Sequence, residues 1–222
     1  MEKRFSVIIP TLFRCVDIMN NLLDSLYDDP AVSEVIIIDN TDFIDYTPTM
    51  KFHSKTQMYS AGKNIYVNPA WNMGVDRAKE DYIAILNDDI TIPEGLFGSI
   101  AQVDLKAMGV IGACHPLIQQ VEKPQRFAVE QAELVPSHER TWGYGIFMAM
   151  HKDHYFPIPE DILVWCGDDI VYHRNRLEGR QNFWLGAPIQ TRMSATSNDK
   201  QFDEIKQNDV ILYENYKKEH GI

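Results

Sequence analysis

The sequence predicts an α/β fold built on a mostly parallel central sheet. Three short, almost uninterrupted apolar runs indicate buried strands: "RFSVIIP" at 4–10, "EVIIID" at 34–39 and "YIAIL" at 82–86. Helical patterns lie between these runs, and strands that alternate with helices are typical of parallel βαβ units. The chain has 222 residues, of which 45% are hydrophobic and 24% charged, and this suffices for one globular domain of this kind.

The first half of the chain keeps this alternation. Its predicted elements, in order, are a strand at 4–10, a helix at 14–27, a strand at 34–39, a polar turn-rich stretch at 41–62, a short strand at 64–67, a helix at 69–80 and a strand at 82–86. Ile18, Leu22 and Leu26 recur at helical spacing in the first helix, and the Asp-Asp-Pro that follows ends it. Pro69 suits the first turn of the second helix, where a missing N–H costs nothing.

The second half is less regular. It is predicted to contain a helix at 94–107, a strand at 109–114, a looser segment at 115–140, a strand at 143–150, a helix at 168–179 and a charged helical tail at 200–219. The second of these helices has Asp168 at its start and Gly179 at its end, as helix capping favours. No repeat or linker divides the chain, so we predict one compact domain over 1–222, in which the second half of the sheet is mixed.

The cysteines and the absence of long apolar runs exclude several protein classes. No run approaches the roughly 20 apolar residues that a membrane helix needs, and the first residues lack the cleavage site of a signal peptide. We therefore expect an intracellular, cytoplasmic protein that is complete from residue 1. Cys15, Cys114 and Cys166 lie far apart in the sequence, which predicts free thiols rather than zinc ligands or disulfides.

The net charge of −11 argues against broad nucleic-acid binding, which depends on Lys and Arg side chains that neutralise phosphates. An anionic ligand would instead depend on a metal ion or on a few well-placed cations. The segment "HRNRLEGR" at 173–180 is the one local patch that could meet phosphates. We interpret it first as a solvated helix face, so nucleic acid is not favoured as a partner but is not excluded.

Polar residues follow each predicted strand of the first half. They are Pro10-Thr11, Asp39-Asn40, Asn68 and Asn87-Asp88-Asp89. Ligands of open parallel sheets bind outside the carboxyl ends of the strands, so these residues are expected to converge on one crevice. Two adjacent carboxylates are hard oxygen ligands that suit Mg²⁺ or Mn²⁺. The alternative is structural, with both acids capping a turn before Pro93.

Four segments, in this order, resemble the family 2 type of glycosyltransferases with the GT-A fold, including its rhamnosyltransferase-like members. They are "FSVIIPTLFR", "EVIIIDNTD", "NPAWNMGVDRAKEDYIAILNDDI" and "GIFMAMHKDHYFPIPEDILVWCGDDIVYHR", and together they cover roughly residues 4–180. The resemblance implies a Rossmann-like nucleotide-sugar-binding half at 1–90, a mixed acceptor-binding half at 91–199 and a helical tail at 200–222. It also implies an enzyme that transfers sugar from a nucleoside diphosphate sugar, most often UDP- or dTDP-linked.

The resemblance also implies roles for the donor-side residues. Pro10, Thr11 and Arg14 match positions that hold the base and ribose, and Asp39 matches the acid that contacts the base. Asn72 and Gly74 match an Asn-x-Gly that lies against the nucleotide and sugar. Asn87, Asp88 and Asp89 match the aspartate-rich metal motif, with Asp89 as the ligand of Mn²⁺ or Mg²⁺ and Asp88 near the ribose or donor sugar.

The catalytic base of the family falls on "CGDDI" at 166–170, where this chain lacks the usual Glu-Asp. The register leaves Asp168 or Asp169 as the base, and Asp168 is preferred because it agrees with the spacing to Arg174. A carboxylate can take the proton of an acceptor hydroxyl while the bond to the anomeric carbon forms, and one displacement inverts that carbon. The alternative interpretation of Asp168 is an ordinary helix N-cap.

The roles of three further residues stay open. Arg192 lies near the place where the family often has a metal- or diphosphate-binding His, and a guanidinium there either holds a phosphate or is simply solvated. Trp142 and Trp165 flank the acceptor side, where tryptophan faces stack on sugars, but both rings could equally be core.

Two other functions compete with sugar transfer. A sugar-nucleotide nucleotidyltransferase would also use a nucleotide crevice and a divalent ion, but "PTLFRC" has no glycine for a triphosphate loop. A non-catalytic relative that binds sugar nucleotide or glycan would explain the altered base motif. The acceptor stays open among a glycan, a protein and a modified DNA base, the last two by analogy with small transferases of viruses and phages, for which the location would be the host cytoplasm.

Overall fold

The computed structural model describes residues 3–41, 50–51, 53–129, 132–192 and 202–222. Within these ranges the strands are β1 (Phe5–Thr11), β2 (Val32–Asp39), β3 (Thr56–Ser60), β4 (Tyr82–Leu86), β5 (Ile90–Thr91), β6 (Ile111–Ala113), β7 (Ile118–Gln120), β8 (Glu133–Pro136), β9 (Phe147–His151), β10 (Phe183–Gly186) and β11 (Ile189–Thr191). The α-helices are α1 (Val16–Asp28), α2 (Val67–Arg77), α3 (Leu96–Ile100), α4 (Gly167–Leu177) and α5 (Asp203–His220).

The central sheet has the strand order β3-β2-β1-β4-β9-β6-β10-β8. Strands β3, β2, β1 and β4 are parallel to one another, as the alternating pattern of the first half predicts. Strand β9 is antiparallel to both of its neighbours, and β8 is antiparallel to β10. The predicted change from a parallel to a mixed sheet is therefore confirmed. A smaller sheet, β5-β11-β7, lies beside it.

Helices cover both faces of the central sheet, which explains the uninterrupted apolar runs of β1, β2 and β4. Successive residues of β1 enter opposite layers: Val7 and Ile9 pack in the layer of α1 and α3, and Ile8 packs in the layer of α2, α4 and α5. All three side chains have no exposed surface. No helix of the described residues combines the length and apolar character needed to span a membrane.

The prediction of a strand at 64–67 is wrong. Helix α2 begins at Val67, and Tyr66 before it has a left-handed φ of 67°. The Asn64 side chain accepts a hydrogen bond from the Tyr66 N–H at 2.8 Å, which turns the chain into the helix. The neighbour of β2 is instead β3, inside the stretch predicted to be irregular. Strand β3 is only partly buried and therefore lacks an apolar run.

The other differences concern short elements. The predicted helix at 94–107 is reduced to α3 and a 3-10 turn at Leu105–Ala107, where the Asp104 side chain accepts from the Lys106 N–H at 3.1 Å. The segment 115–140, predicted to be loose, contributes β7 and β8. The predicted helix at 168–179 and the helical tail are confirmed as α4 and α5.

The cysteines are free, as predicted, although burial differs among them. Cys15 is buried, whereas Cys114 and Cys166 are partly exposed.

Candidate functional site

A crevice of about 410 Å³ opens at the carboxyl ends of β1 and β4. Several predicted site residues line it: Pro10, Thr11, Arg14, Asn87, Asp88, Asp89, Trp142, Trp165 and Asp168. The predicted residues that do not line it are Asp39, Asn72, Gly74, Asp169 and Arg192. The structure thus brings together residues from the first half of the chain and Asp168 from α4.

The pairing of β1 with β4 joins the first two parts of the site. Thr11 Oγ1 donates a hydrogen bond of 2.5 Å to Asp88 Oδ2, although 77 residues separate the two in the sequence. The same hydroxyl accepts from the Phe13 N–H at 2.7 Å, and Phe13 has a left-handed φ of 53°. Thr11 therefore fixes both the turn after β1 and the orientation of the Asp88 carboxylate.

The two carboxylates after β4 are buried side by side. Burial raises the pKa of Asp88 to about 6, and the charge of Asp89 adds to this effect. The pKa of Asp89 is also raised by burial, against the opposing effect of hydrogen bonds from its own backbone and from Thr191. Two buried carboxylates that repel each other have a strong affinity for positive charge.

This donor set fits a divalent cation of the Mg²⁺ or Mn²⁺ type. Within the described part of the chain no cluster of three or more His, Cys, Asp or Glu residues is arranged to hold a metal. Asp88 and Asp89 would therefore supply at most part of the coordination shell. Mg²⁺ sites in proteins commonly have one or two carboxylates, with water and substrate phosphates as the remaining ligands, so the residues present are chemically suitable.

Asp168 enters the crevice from the first turn of α4. Arg140 donates to Asp168 Oδ2 from Nε at 3.0 Å, and its Nη2 lies 2.8 Å from the same oxygen. The Arg140 Nε also lies 3.2 Å from Asp169 Oδ1. Gly145 allows this arrangement, because a Cβ at that position would lie 2.8 Å from the Asp168 Cβ.

Asp169 differs from its neighbour in position. It lies outside the crevice, and burial together with the negative charge of Asp168 raises its pKa to about 6, against the opposing charge of Arg140. The two candidates for the catalytic base are thus structurally distinct, and the one facing the crevice is Asp168.

The end of β2 contributes Asn40 rather than Asp39 to the crevice surface. Asp39 Oδ1 accepts from the Thr41 N–H at 2.8 Å, and the residue is buried. Asn40 donates from Nδ2 to the Tyr66 carbonyl at 3.2 Å, and its buried Oδ1 has no hydrogen-bond partner within the described ranges. The buried Trp71 Nε1, on the α2 side of the crevice, is also unpaired among these residues. A polar ligand could satisfy both atoms.

The structure does not bring Asn72, Gly74 or Arg192 to the crevice. Asn72 holds the segment at 155–158, since its Oδ1 accepts from the Tyr155 hydroxyl at 2.7 Å and its Nδ2 donates to the Ile158 carbonyl at 2.8 Å. Gly74 packs directly against Ile8 of β1. Arg192 pairs with Asp17 at 2.8 Å on the surface.

Asn68 was predicted to face the crevice from a strand end, and this prediction is wrong. It belongs to α2, has no exposed surface, and donates from Nδ2 to the carbonyls of Ile162 and Trp165 at 3.1 and 3.0 Å. It therefore supports the turn that precedes α4 and does not meet a ligand.

Sequence reasoning missed several residues that line the crevice, notably Arg140, Phe202 and Lys206. Phe202 lies edge-to-face with Tyr66, and the Lys206 Nζ lies 5.7 Å from the centre of the Trp165 ring. These three residues come from an irregular segment or from the charged tail, and no motif in the sequence marks them. Asn40, in contrast, was expected at the crevice because it follows β2 directly.

Comparison with known proteins places this geometry in a family. The family model described as "Glycosyl transferase family 2" matches residues 6–152. A search of the curated proteins finds no matching sequence.

Three similar solved structures support the fold. S. aureus TarS 1-349 has 18% identity and a TM-score of 0.58 over 85% of this chain. GalNAc-T7 with UDP, GalNAc and Mn²⁺ has 10% identity and a TM-score of 0.62 over 90%. The mannosyltransferase PcManGT from Pyrobaculum calidifontis, in complex with GDP-Man and Mn²⁺, has 13% identity and a TM-score of 0.60 over 89%. The chain spans 60%, 45% and 59% of these proteins respectively, and at such identities the likeness is one of fold.

Proposed function

The chain belongs to glycosyl transferase family 2, and from this premise we propose that it transfers a sugar from a nucleoside diphosphate sugar to an acceptor hydroxyl with inversion at the anomeric carbon. The proposal rests on one observation: the Asp88–Asp89 pair and Asp168 line the same crevice. The predicted GT-A fold is confirmed. The rhamnosyltransferase-like branch stays a prediction.

The donor is proposed to lie along the β1 and β4 ends of the crevice. Pro10, Thr11 and Arg14 would meet the nucleoside, and Asn40 would offer it an unpaired carbonyl oxygen. We propose a UDP- or dTDP-linked sugar. The solved relatives were crystallised with UDP in one case and with GDP-Man in another, so the nucleotide has to be determined by experiment.

The metal is proposed to bind Asp89, with Asp88 and Asn87 beside it. Both solved relatives that contain a nucleotide also contain Mn²⁺, and the donor set here suits Mn²⁺ or Mg²⁺. When bound, such an ion neutralises negative charge on a departing diphosphate. Three cationic residues line the same crevice. Arg14 and Lys206 could add to that effect, whereas Arg140 is paired with Asp168.

Asp168 is proposed as the general base. Arg140 holds its Oδ2, so Oδ1 is the oxygen to which an acceptor hydroxyl would donate. The acceptor oxygen then forms its bond to the anomeric carbon as the bond from that carbon to the diphosphate oxygen breaks. The proton moves to Asp168 and the nucleoside diphosphate leaves, so a single displacement needs no covalent enzyme intermediate.

The acceptor side is proposed to be the face with Trp142 and Trp165. Trp142 is 53% exposed, which is unusual for so large an apolar ring, and His115 lies edge-on to it at 5.3 Å. An exposed indole face stacks on the C–H face of a sugar ring. Among the acceptors considered, a glycan therefore agrees best with the surface, whereas a protein or a modified DNA base gains no specific support.

Calorimetric titration with UDP, dTDP, GDP and CDP, each with and without Mn²⁺, tests the proposal. We expect one nucleotide to bind, and to bind at least about tenfold more weakly without Mn²⁺ or in Asp89→Asn, because the carboxylates alone repel the diphosphate. Asp161→Asn, an exposed acid outside the crevice, is the control.

Three outcomes would contradict the proposal. Binding of no nucleotide under any of these conditions would remove the donor site. Nucleotide binding without release of nucleoside diphosphate from any matching sugar nucleotide, in the presence of simple glycoside acceptors, would favour the non-catalytic alternative. Consumption of a nucleoside triphosphate with a sugar phosphate would favour the nucleotidyltransferase.

A further inference from the structure

The turn that delivers Asp168 to the crevice is bound by a carboxylate from α5. Three consecutive backbone N–H groups, those of Leu163, Val164 and Trp165, donate to the Asp209 side chain at 2.9, 2.8 and 2.9 Å. Asp209 Oδ1 takes the first of these hydrogen bonds and Oδ2 takes the other two. Asp209 has no exposed surface, so it is a charged group placed entirely inside the protein.

A buried carboxylate of this kind is costly unless strong hydrogen bonds compensate its lost hydration. Bonds from backbone N–H groups to an ionised carboxylate are about twice as strong as bonds between neutral groups. Aligning three consecutive N–H groups on one side chain also fixes the backbone that carries them. The geometry of the turn is therefore determined by Asp209 to a degree that apolar packing could not achieve.

Asn68 holds the opposite side of the same turn. Its N–H donates to the Leu163 carbonyl at 2.9 Å, and its side chain donates to the carbonyls of Ile162 and Trp165. The N–H groups of residues 163–165 are thus bound from α5, and the carbonyl groups of Ile162, Leu163 and Trp165 are bound from α2. Most backbone polar groups of this turn therefore have a partner on Asp209 or Asn68.

The path from this turn to Asp168 allows little freedom. Cys166 has a left-handed φ of 63°, Gly167 packs directly against Asn68 Oδ1, and the Ile170 N–H donates to the Cys166 carbonyl at 3.0 Å as α4 begins. Asp168 is three residues beyond Trp165. Any shift of the turn would therefore be transmitted to the Asp168 carboxylate.

We propose that Asp209 is a positioning residue that sets the place of the catalytic base by holding the turn at 163–165. The inference rests on the proposed role of Asp168. Asp209 itself is not a residue of the crevice surface, and it lies outside the segment that the family model matches. It acts on the reaction through the backbone, from an element that follows α4 by more than 20 residues in the chain.

Asp209→Asn is the informative variant. The amide keeps the size of the side chain but turns an NH₂ group toward at least one backbone N–H, so one or two of the three hydrogen bonds are lost. Asp203→Asn is the matched control, because Asp203 is an exposed acid in the first turn of the same helix. Asp209→Glu keeps the charge but displaces it by one methylene. It replaces Asp209→Asn in both measurements if the Asn variant does not fold.

The first measurement is hydrogen exchange of the peptide that contains 163–165, followed by mass spectrometry. We expect these amides to exchange at least about tenfold faster in Asp209→Asn, since hydrogen bonds to a charged group protect an amide strongly and at least one of them is lost. The Asp203→Asn protein should match the wild type. Unchanged exchange at 163–165 would overturn the proposal.

The second measurement separates positioning from stability. Release of UDP from UDP-glucose, or of the corresponding nucleotide from the sugar nucleotide that calorimetry selects, gives kcat and KM. We expect kcat of Asp209→Asn to fall about 100-fold, with KM and the Kd for the nucleotide within about threefold of wild type, because a small displacement of a reacting group has this effect. If the kcat of Asp209→Asn, calculated per nucleotide-binding site, equals that of the wild type, the positioning role is wrong.

Failure of the proposed function can be distinguished from failure of the positioning role. If the proposed function is wrong, the wild type turns over no sugar nucleotide. The exchange experiment then still decides whether Asp209 holds the turn.

Discussion

At the residue scale, two adjacent acids of one helix illustrate how surroundings assign different roles. Asp168 faces the crevice and is held by Arg140 through a single oxygen, whereas Asp169 is turned away from the crevice. The sequence identified both as candidates and preferred Asp168 on spacing. It could not foresee Arg140, which lies 28 residues earlier and becomes a partner only through the fold.

Asparagine substitutions distinguish the two acids. Asp168→Asn should lower kcat by about 10²–10⁴-fold with the nucleotide Kd unchanged, because an amide cannot accept the acceptor proton. Asp169→Asn, the matched control, should cause a much smaller loss. Initial rates of nucleotide release, with calorimetry on both variants, check this. The opposite order of effects would assign the base to Asp169.

The raised pKa of Asp169 also predicts a dependence of stability on pH. Its folded-state pKa of about 6 exceeds the ordinary value of 3.8, so the folded protein binds the proton more tightly than the unfolded chain does. The wild type therefore loses stability relative to Asp169→Asn as the pH rises from 4 to 7. Urea unfolding of both proteins at pH 4, 5, 6 and 7 measures this difference. A difference that is constant across the range would contradict the prediction.

At the element scale, the close contact of α2 with β1 depends on a residue without a side chain. Gly74 packs so tightly on Ile8 that a Cβ would overlap the Ile8 Cγ2. This contact explains the glycine of the Asn-x-Gly segment by packing, and it places Trp71, one turn earlier, at the crevice.

Gly74→Ala should therefore lower the free energy of unfolding by about 1–3 kcal/mol, which is the usual cost of overpacking a core. Gly98→Ala in α3 is the control, since its Cβ would lie 3.8 Å from Asp29 Oδ1, an ordinary contact. That variant should be neutral or slightly more stable, because alanine restricts the unfolded chain. Chemical unfolding of both variants tests the contrast, and equal effects would refute the packing argument.

The strands that sequence reasoning identified are those that are buried on both faces. Strands β1, β2 and β4 are almost wholly buried, and each gives an apolar run that periodicity detects. Strands β3, β7 and β8 are short and partly exposed, so their residues show no such run. The misassigned strand at 64–67 is apolar for another reason: Ile65 and Val67 pack against the α2 layer from a turn and a helix start.

At the scale of the whole molecule, the donor side could be predicted better than the base side. Asp88 and Asp89 follow a recognisable strand, and the rule that ligands bind at carboxyl ends places them in the crevice. The base side is assembled from Arg140, Asn68 and Asp209, which lie on three separate parts of the chain. Their importance arises from long-range hydrogen bonds, and no local pattern in a single sequence encodes such bonds.

The acidic character of the molecule affects how the proposed donor is attracted to the crevice. With a net charge of −11, the protein as a whole repels the proposed donor, a nucleoside diphosphate sugar. We expect the attraction to come from within the crevice, from Arg14, Lys206 and the divalent ion proposed to bind the carboxylates. We expect donor affinity to depend on the metal more steeply than on ionic strength.

Because Asp209 binds the turn before α4 from a late part of the chain, that turn can reach its final hydrogen bonding only late in synthesis. A chain emerging from the ribosome can pair β1, β2 and β4 long before residue 209 exists outside the exit tunnel, since translation proceeds at roughly 5–20 residues per second and earlier segments fold first. During that interval β1, β2 and β4 can already be paired in the nascent chain, whereas the amides at 163–165 still lack their partner, Asp209. With the roles proposed above, such a chain would have its nucleotide side formed before Asp168 is held in place, and α5 would complete the site last.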